Sequence, residues 1–376
     1  MHIDERVRLI TRNTEEIMTE EDLKSLLENV SEINHYIGFE ISGKIHLGTG
    51  LMCMSKVKDF MDAGITCSVF LADWHSYIND KLGGDLDIIK QVAVGYFMNG
   101  LKASLKCLGG DPDKLTFVLG SDLYHHNDEY WQTVIDISKN TSLSRMMRSI
   151  TILGRKEGEG VDFAKLMYPP MQVADIFTQN IHLPHAGLDQ RKAQVIARDV
   201  ATKIKKPLLD DNGVVVKPVA VHHHLLLGLL KPPTWPIPKE ELQEALSALK
   251  MSKSKPNSSV YIHDSPEEIT KKISQAFCME GEVAFNPILD WTKYLLFREE
   301  TSSLTIKRPE KFGGDVTYTS YESLRDAFAS KDLHPVDLKN AVAQAIIKLL
   351  APAREYFSSE EGANLLAEMN NILVTR

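Results

Sequence analysis

Two stretches lying about 200 residues apart in this 376-residue chain carry side chains suited to phosphate. One is His46-Leu47-Gly48-Thr49-Gly50, an imidazole and a hydroxyl set among glycines. The other is Lys250-Met251-Ser252-Lys253-Ser254-Lys255, with three lysines and two serines in six residues, followed by Pro-Asn-Ser-Ser. A cationic, hydroxyl-rich loop suits a polyphosphate, for which lysine is a flexible point charge. Taken alone, a tight turn accounts for the first stretch and a solvated charge run for the second. A third set is Tyr168, Gln172 and Asp175. Spacings of four and seven place them on one stripe of a largely apolar helix, where buried polar groups need a partner. A structural hydrogen-bond network and a ligand both satisfy that need. His222-His223-His224 look like metal ligands, but in a strand they alternate between faces and cannot hold one ion together. Structural or adenine-proximal roles fit them better, and no metal site is expected.

The elements around these residues set their positions. Helical spacing over residues 4–30 predicts one or two leading helices. YIGFEISGKIHLGTGL then reads as a strand, a glycine-rich turn and a helix starting near Gly48. This puts His46 where free N–H groups and a helix dipole attract anions, with Gly48 and Gly50 allowing close approach. CSVFLADWHSYI reads as a second buried strand, 86–107 as a helix and LTFVLGSDL as a third strand, so a parallel sheet covered by helices is expected. Residues 124–165 are helical and polar, an insertion. The alternation resumes through MYPPMQVADIFTQN (helix), IHLPHAGLD (strand), RKAQVIARDVATKI (helix) and VVVKPVAVHHH (strand). Asp189 falls where it would N-cap the helix that follows. Ser265-Pro-Glu-Glu opens a mostly helical tail.

Composition narrows the class. The net charge of −8 excludes nucleic-acid binding by bulk charge, so any RNA contact must come from local basic patches and shape. Cys53, Cys67, Cys107 and Cys278 are far apart and read as reduced residues rather than a disulfide or zinc framework. The charged N-terminus is unlike a signal peptide, and no run of 18 apolar residues occurs. A cytoplasmic protein with no membrane partner is the expectation.

HLGT and KMSKS together resemble the two nucleotide-binding motifs of class I aminoacyl-tRNA synthetases. YIGFEISGKIHLG, LADWHSYIND, YPPMQVADIF, DQRK and KFGGDVTY…LHPVDLKNAVA resemble the tyrosyl branch of archaea and eukaryotes, in that family's order along nearly the whole chain. One departure stands out: Thr49 occupies the position of the second histidine of the family's H-x-G-H motif.

The resemblance implies an α/β architecture. A Rossmann-like, parallel-sheet catalytic domain would span 1–264, with the helical insertion at 124–165 and the lysine loop at 250–255. A mostly α-helical anticodon-binding domain would span 265–376. The implied reaction activates L-tyrosine with ATP and transfers it to the 3′ end of tRNA(Tyr). By the same resemblance, Lys250 and Lys253 stabilise the β- and γ-phosphates as pyrophosphate leaves, with His46 a further phosphate donor. Gly48, Thr49, Met251, Ser252 and Ser254 would contact ATP, and Asp189 its ribose. Mg²⁺ would arrive on the ATP rather than in a protein cage.

Tyr36 and Asp175 would meet the substrate phenol, and Tyr168, Gln172 and Gln190 the ammonium group. Glu40 and His75 would complete the tyrosine site, although an ordinary core histidine explains His75 as well. Arg148 and Arg191 would meet the acceptor end of tRNA, and Phe312, His334 and Asp337 the anticodon. His334-Pro335 also suits a plain helix start. A homodimer joined in part by the insertion is implied.

The tyrosine carboxylate is already ionised, so positioning and charge neutralisation suffice without a general base. The rivals are a tryptophanyl enzyme, another nucleotidyltransferase and a non-catalytic RNA-binding relative. Tyr36 with Asp175 disfavours the first, because an indole offers only a donor. The anticodon-like tail disfavours the second, and intact His46, Gly48, Lys250 and Lys253 the third.

Overall fold

Strands β1 (Thr14–Met18), β2 (Asn34–Phe39), β3 (Thr66–Leu71), β4 (Thr116–Leu119) and β5 (Leu183–Gly187) form most of one sheet. β6 (Leu208–Leu209) and β7 (Val215–Val216) pair as a separate ladder, and β8 (Ala220–His223) returns to the sheet. The spatial order is β1-β8-β5-β2-β3-β4. The computed structural model describes residues 1–155, 162–237, 249–251 and 256–372.

β2, β3, β4, β5 and β8 run parallel, whereas β1 pairs antiparallel with β8. From β2 the chain moves to β3 and β4 on one side, and later to β5 and β8 on the other. The order therefore reverses between β2 and β5. In open α/β sheets ligands bind at that reversal, outside the carboxyl ends of the strands. Here those ends lead into Glu40 and His46, into His75, and into Asp189 and Gln190.

Several sequence expectations change. The leading segment is not purely helical: β1 lies between the helices Ile3–Thr11 and Glu20–Asn29. Its five residues, TEEIM, include two glutamates, as an edge strand with few buried positions permits. The second strand stops at Leu71, and Asp73–Ile78 is a helix. Asp73 Oδ1 accepts the N–H groups of Trp74 (2.9 Å) and Ser121 (3.0 Å), tying together the ends of β3 and β4. VVVKPVAVHHH is two strands, divided near Pro218, which has no N–H for a ladder. The helix carrying Tyr168 begins at Phe163, capped by Asp162, so it takes in the end of the expected insertion.

In the tail, Ser265 and Glu268 form the expected capping box of helix Pro266–Ser274. The short hairpin of β9 (Leu304–Ile306) and β10 (Val316–Tyr318) was not expected. One apolar core contains Ile37, Leu51 and Val69 of the sheet layer together with Trp291, Phe328, Leu338 and Ile346 of the tail. A second core joins Tyr36 and Phe70 to Tyr124, Tyr130, Val134 and Met171, beneath the insertion helix Asp128–Lys139. Among the described residues no helix is long and apolar enough to cross a membrane.

Candidate active site

β2 alternates its side chains, so His35 and Ile37 face one side of the sheet and Tyr36 the other. Tyr36 is 3 % exposed and meets Phe70 of β3 edge-on at 6.3 Å. Asp175, from the Phe163–Thr178 helix, is 1 % exposed. Its Oδ1 accepts from the hydroxyls of Tyr124 (3.0 Å) and Tyr130 (3.2 Å). His75 Nε2 lies 3.7 Å from Oδ2, while His75 Nδ1 faces the Tyr124 hydroxyl at 3.3 Å.

Burial pushes the Asp175 carboxyl well above the usual carboxylate range, against the two phenol donors, which act to lower it. Burial also keeps the neighbouring groups neutral. It drives His75 down to about 3. It lifts Tyr36, Tyr124 and Tyr130 well above 10, and Asp175 adds to that rise. Asp175 is therefore a buried acid ringed by phenols and an uncharged imidazole.

Tyr124 and Tyr130 were missed in the sequence. Both stand just past the C-terminal end of β4, in LYHHNDEYW, which is where an α/β sheet places ligand-facing residues.

Higher on the same helix, Gln172 Nε2 reaches Gln190 Oε1 at 3.4 Å, and Gln190 Nε2 donates to the Ile152 carbonyl at 2.9 Å. Gln172 Oε1 is buried without a hydrogen-bond partner, an acceptor awaiting a donor. Tyr168 packs edge-on against His75 at 4.5 Å, and burial, with Glu40 nearby, lifts its phenol well above its usual range. Glu40 in turn accepts from Asn79 Nδ2 at 2.7 Å and pairs with Lys81 at 3.3 Å. All seven residues expected to surround tyrosine thus lie on elements that converge at the sheet reversal.

After β2, His46 folds back over its own turn. Its Nδ1 accepts the Thr49 N–H at 3.2 Å, so a neutral ring carries its proton on Nε2, 3.5 Å from the Thr49 hydroxyl. A Cβ on Gly48 would meet that ring at 3.0 Å, which explains the glycine. Gly50 has a packing reason that the sequence did not show. A Cβ there would come within 2.7 Å of Ser104 and 2.8 Å of Ile262, so close packing alone requires the glycine.

Asp189 is not a helix cap. Gln190 holds the N-cap position of helix Arg191–Val200 without a side-chain bond, and Asp189 Oδ2 instead takes Lys250 Nζ at 2.6 Å. Lys250 is thus committed to a partner rather than simply solvated, and Met251 is buried beside it. Ser252, Lys253 and Ser254 lie outside the described residues.

The three adjacent histidines diverge. His222 lies 3.0 Å from Glu16, His223 bonds His185 at 2.8 Å, and His224 sits between Glu15 (2.6 Å) and Asp290 (2.7 Å). Among the described residues no cluster of His, Cys, Asp and Glu could hold a metal.

Arg148 and Arg191 line one cleft with Arg145 and Lys192, two basic residues that the sequence reading did not single out. Glu16 holds the Arg191 guanidinium through both oxygens at 2.8–3.0 Å. In the tail, Phe312 is 60 % exposed at the tip of the β9–β10 hairpin. His334 does start a helix, its Nδ1 accepting the Val336 N–H at 3.2 Å, and Asp337 stands in the first turn. Arg308, in the hairpin loop just past β9, donates to the Asp332 carbonyl at 3.0 Å, so the two segments adjoin.

A family model described as tRNA synthetases class I (W and Y) matches residues 28–351. Tyrosine–tRNA ligases of Thermococcus sibiricus and Thermococcus onnurineus are 58 % and 59 % identical, each over 100 % of both chains. The crystal structure of tyrosyl-tRNA synthetase complexed with L-tyrosine from Pyrococcus horikoshii is 57 % identical. It superposes with a TM-score of 0.96, covering 99 % of this chain and 100 % of that one.

Proposed function

We infer the reaction from family and pocket together: the chain belongs to the class I tRNA synthetases of the W and Y group. It activates tyrosine with ATP and charges tRNA, as do the ligases it matches over full length. The observation that carries the choice of tyrosine is Asp175, a buried acid held by two protein phenols beside Tyr36. A third phenol, from the substrate, would find an acceptor at Oδ2 and a partner in Tyr36. Phenylalanine would leave both unsatisfied, and tyrosine enzymes are the standard illustration of this principle.

The substrate ammonium would donate to Gln172 Oε1 and to Tyr168, with Gln190 and Glu40 holding those two in place. This leaves the tyrosine carboxylate pointing toward the His46 turn. In-line attack on the α-phosphorus of ATP, taken as its magnesium complex, forms the adenylate and releases pyrophosphate. His46 Nε2–H, the turn at Gly48 and Thr49, and Lys250 and Lys253 would neutralise phosphate charge. Met251, Ser252 and Ser254 would complete the loop contacts. Asp189 would take the ribose hydroxyls, giving up Lys250 to the phosphates. A partly exposed ion pair of this kind is worth roughly 0–1 kcal/mol, so the exchange is easy.

Further proposals concern tRNA and assembly. The cleft of Arg148 and Arg191 would take the acceptor end, and Phe312, His334 and Asp337 the anticodon, by stacking and by hydrogen bonds to an unstacked base. This divides the chain by function near residue 265. The insertion exposes Ile135 (59 %) and Leu143 (69 %), and Phe163 (76 %) lies at its end, an apolar surface suited to a second copy in a homodimer.

ATP–pyrophosphate exchange with each amino acid tests the reading. Tyrosine alone should support rapid exchange. Equal rates with tryptophan or phenylalanine would contradict it.

A further inference from the structure

Lys250 belongs to a short stretch of backbone whose placement depends on the tail. Lys250 pairs antiparallel with Leu227. On either side, Met251 N–H donates to the Leu226 carbonyl at 3.0 Å and Gly228 N–H to the Leu249 carbonyl at 2.7 Å. The polar groups of Leu227 itself face the other way, and two side chains of helix Pro287–Trp291 take both of them. Leu227 N–H donates to Asp290 Oδ2 at 2.9 Å, and Trp291 Nε1–H donates to the Leu227 carbonyl at 2.8 Å.

Asp290 is itself fixed. Its Oδ1 meets His224 Nε2 at 2.7 Å, and His224 Nδ1 meets Glu15 of β1 at 2.6 Å. The His224 ring stacks on Tyr294 at 4.0 Å, and the Tyr294 hydroxyl donates to Glu15 at 2.8 Å. Lys293 Nζ lies over the Tyr294 ring, 4.7 Å from its centre. Burial opposes charge on His224, but hydrogen bonds to Asp290 and Glu15 raise it to about 9, so the bridge is ionic at neutral pH.

We propose that Asp290 and Trp291 are positioning residues for adenylate formation, holding Lys250 in place through the backbone of Leu227. Neither residue is among those assigned above to a substrate. The tail thereby sets the geometry of a phosphate-handling lysine as well as meeting tRNA. This rests on the assignment of Lys250 to the leaving phosphates.

The test is a double-mutant cycle on the full chain, with single-turnover adenylate formation and the tyrosine Kd as readouts. Asp290→Ala should slow adenylate formation about tenfold or more, with the tyrosine Kd within about twofold of wild type. In a Lys250→Ala background the same change should cost less than about twofold, because its target is already gone. Asp290→Asn keeps an oxygen for Leu227 and should recover most of the rate. Should Asp290→Ala fail to fold, Trp291→Phe keeps the packing, loses one donor and should show the same non-additivity.

A full multiplicative effect in the Lys250→Ala background would overturn the proposal, since the residues would then be supporting the fold. Joint loss of rate and tyrosine affinity would do the same. Wild-type rates for Lys250→Ala alone would refute the role of Lys250, and the inference with it.

Discussion

The two halves of the active site are built in opposite ways. Around Tyr36 and Asp175 every polar group is buried, uncharged neighbours surround one acid, and protein hydrogen bonds already fix its Oδ1. Around His46 and Lys250 the groups are partly exposed, and the lysine is paired with the aspartate expected to take ribose. The first half is preorganised, so on the proposed reading specificity would come from leaving a wrong ligand's partners unsatisfied. On the same reading the second would exchange partners when ATP arrives, which suits residues that act mainly as charge develops in the transition state. Recognition of the amino acid and catalysis on the phosphate are thus separable.

The sharpest attempt to break that separation is Lys253→Ala. It should slow adenylate formation by tens- to thousands-fold, about 2–4 kcal/mol, while the tyrosine Kd barely changes. Stopped-flow activation and equilibrium binding measure the two, and a large rise in Kd would show that the halves are coupled.

Acid should affect the folded state that both halves share. Burial holds His35 and His75 near 3 and His223 near 4. Their unfolded pKa is about 6.5, so below it the unfolded chain binds more protons and stability falls as pH falls. From pH 7 to 6 these three should remove roughly 2 kcal/mol in denaturant unfolding. A flat profile there would mean the three imidazoles are hydrated or charged in the fold.

A smaller effect isolates the pocket. Tyr124→Phe removes one neutral donor to Asp175 and should weaken tyrosine binding by about 0.5–1.5 kcal/mol. The rate of the bound complex should change little. A large loss of rate instead would place Tyr124 among the groups acting on the phosphate.

The sequence revealed these halves unequally. The parallel strands, the glycine-rich turn at His46 and the Tyr168–Asp175 stripe were legible, because local spacing alone positions them. β1 was not, since a five-residue edge strand with two glutamates has no clear alternation. Tyr124 and Tyr130 reach Asp175 from 51 and 45 residues away, and no local pattern announces that contact. Asp189 looked like a helix cap by position, and only the fold brings Lys250 to it across 61 residues. Gly50 shows the same limit: its type was noticed, but its reason is the packing of Ile262 and Ser104.

The central claim, that the Tyr36–Asp175 floor reads the phenol, is tested most directly by kcat/KM for tyrosine and phenylalanine in Asp175→Ala. The change leaves the substrate hydroxyl without its acceptor and should cost about 1–3 kcal/mol with tyrosine, while phenylalanine should lose little or gain, since the buried acid that penalises it is gone. The tyrosine-to-phenylalanine ratio should therefore narrow. An unchanged ratio would mean that the hydroxyl is recognised elsewhere and that Asp175 only supports the fold.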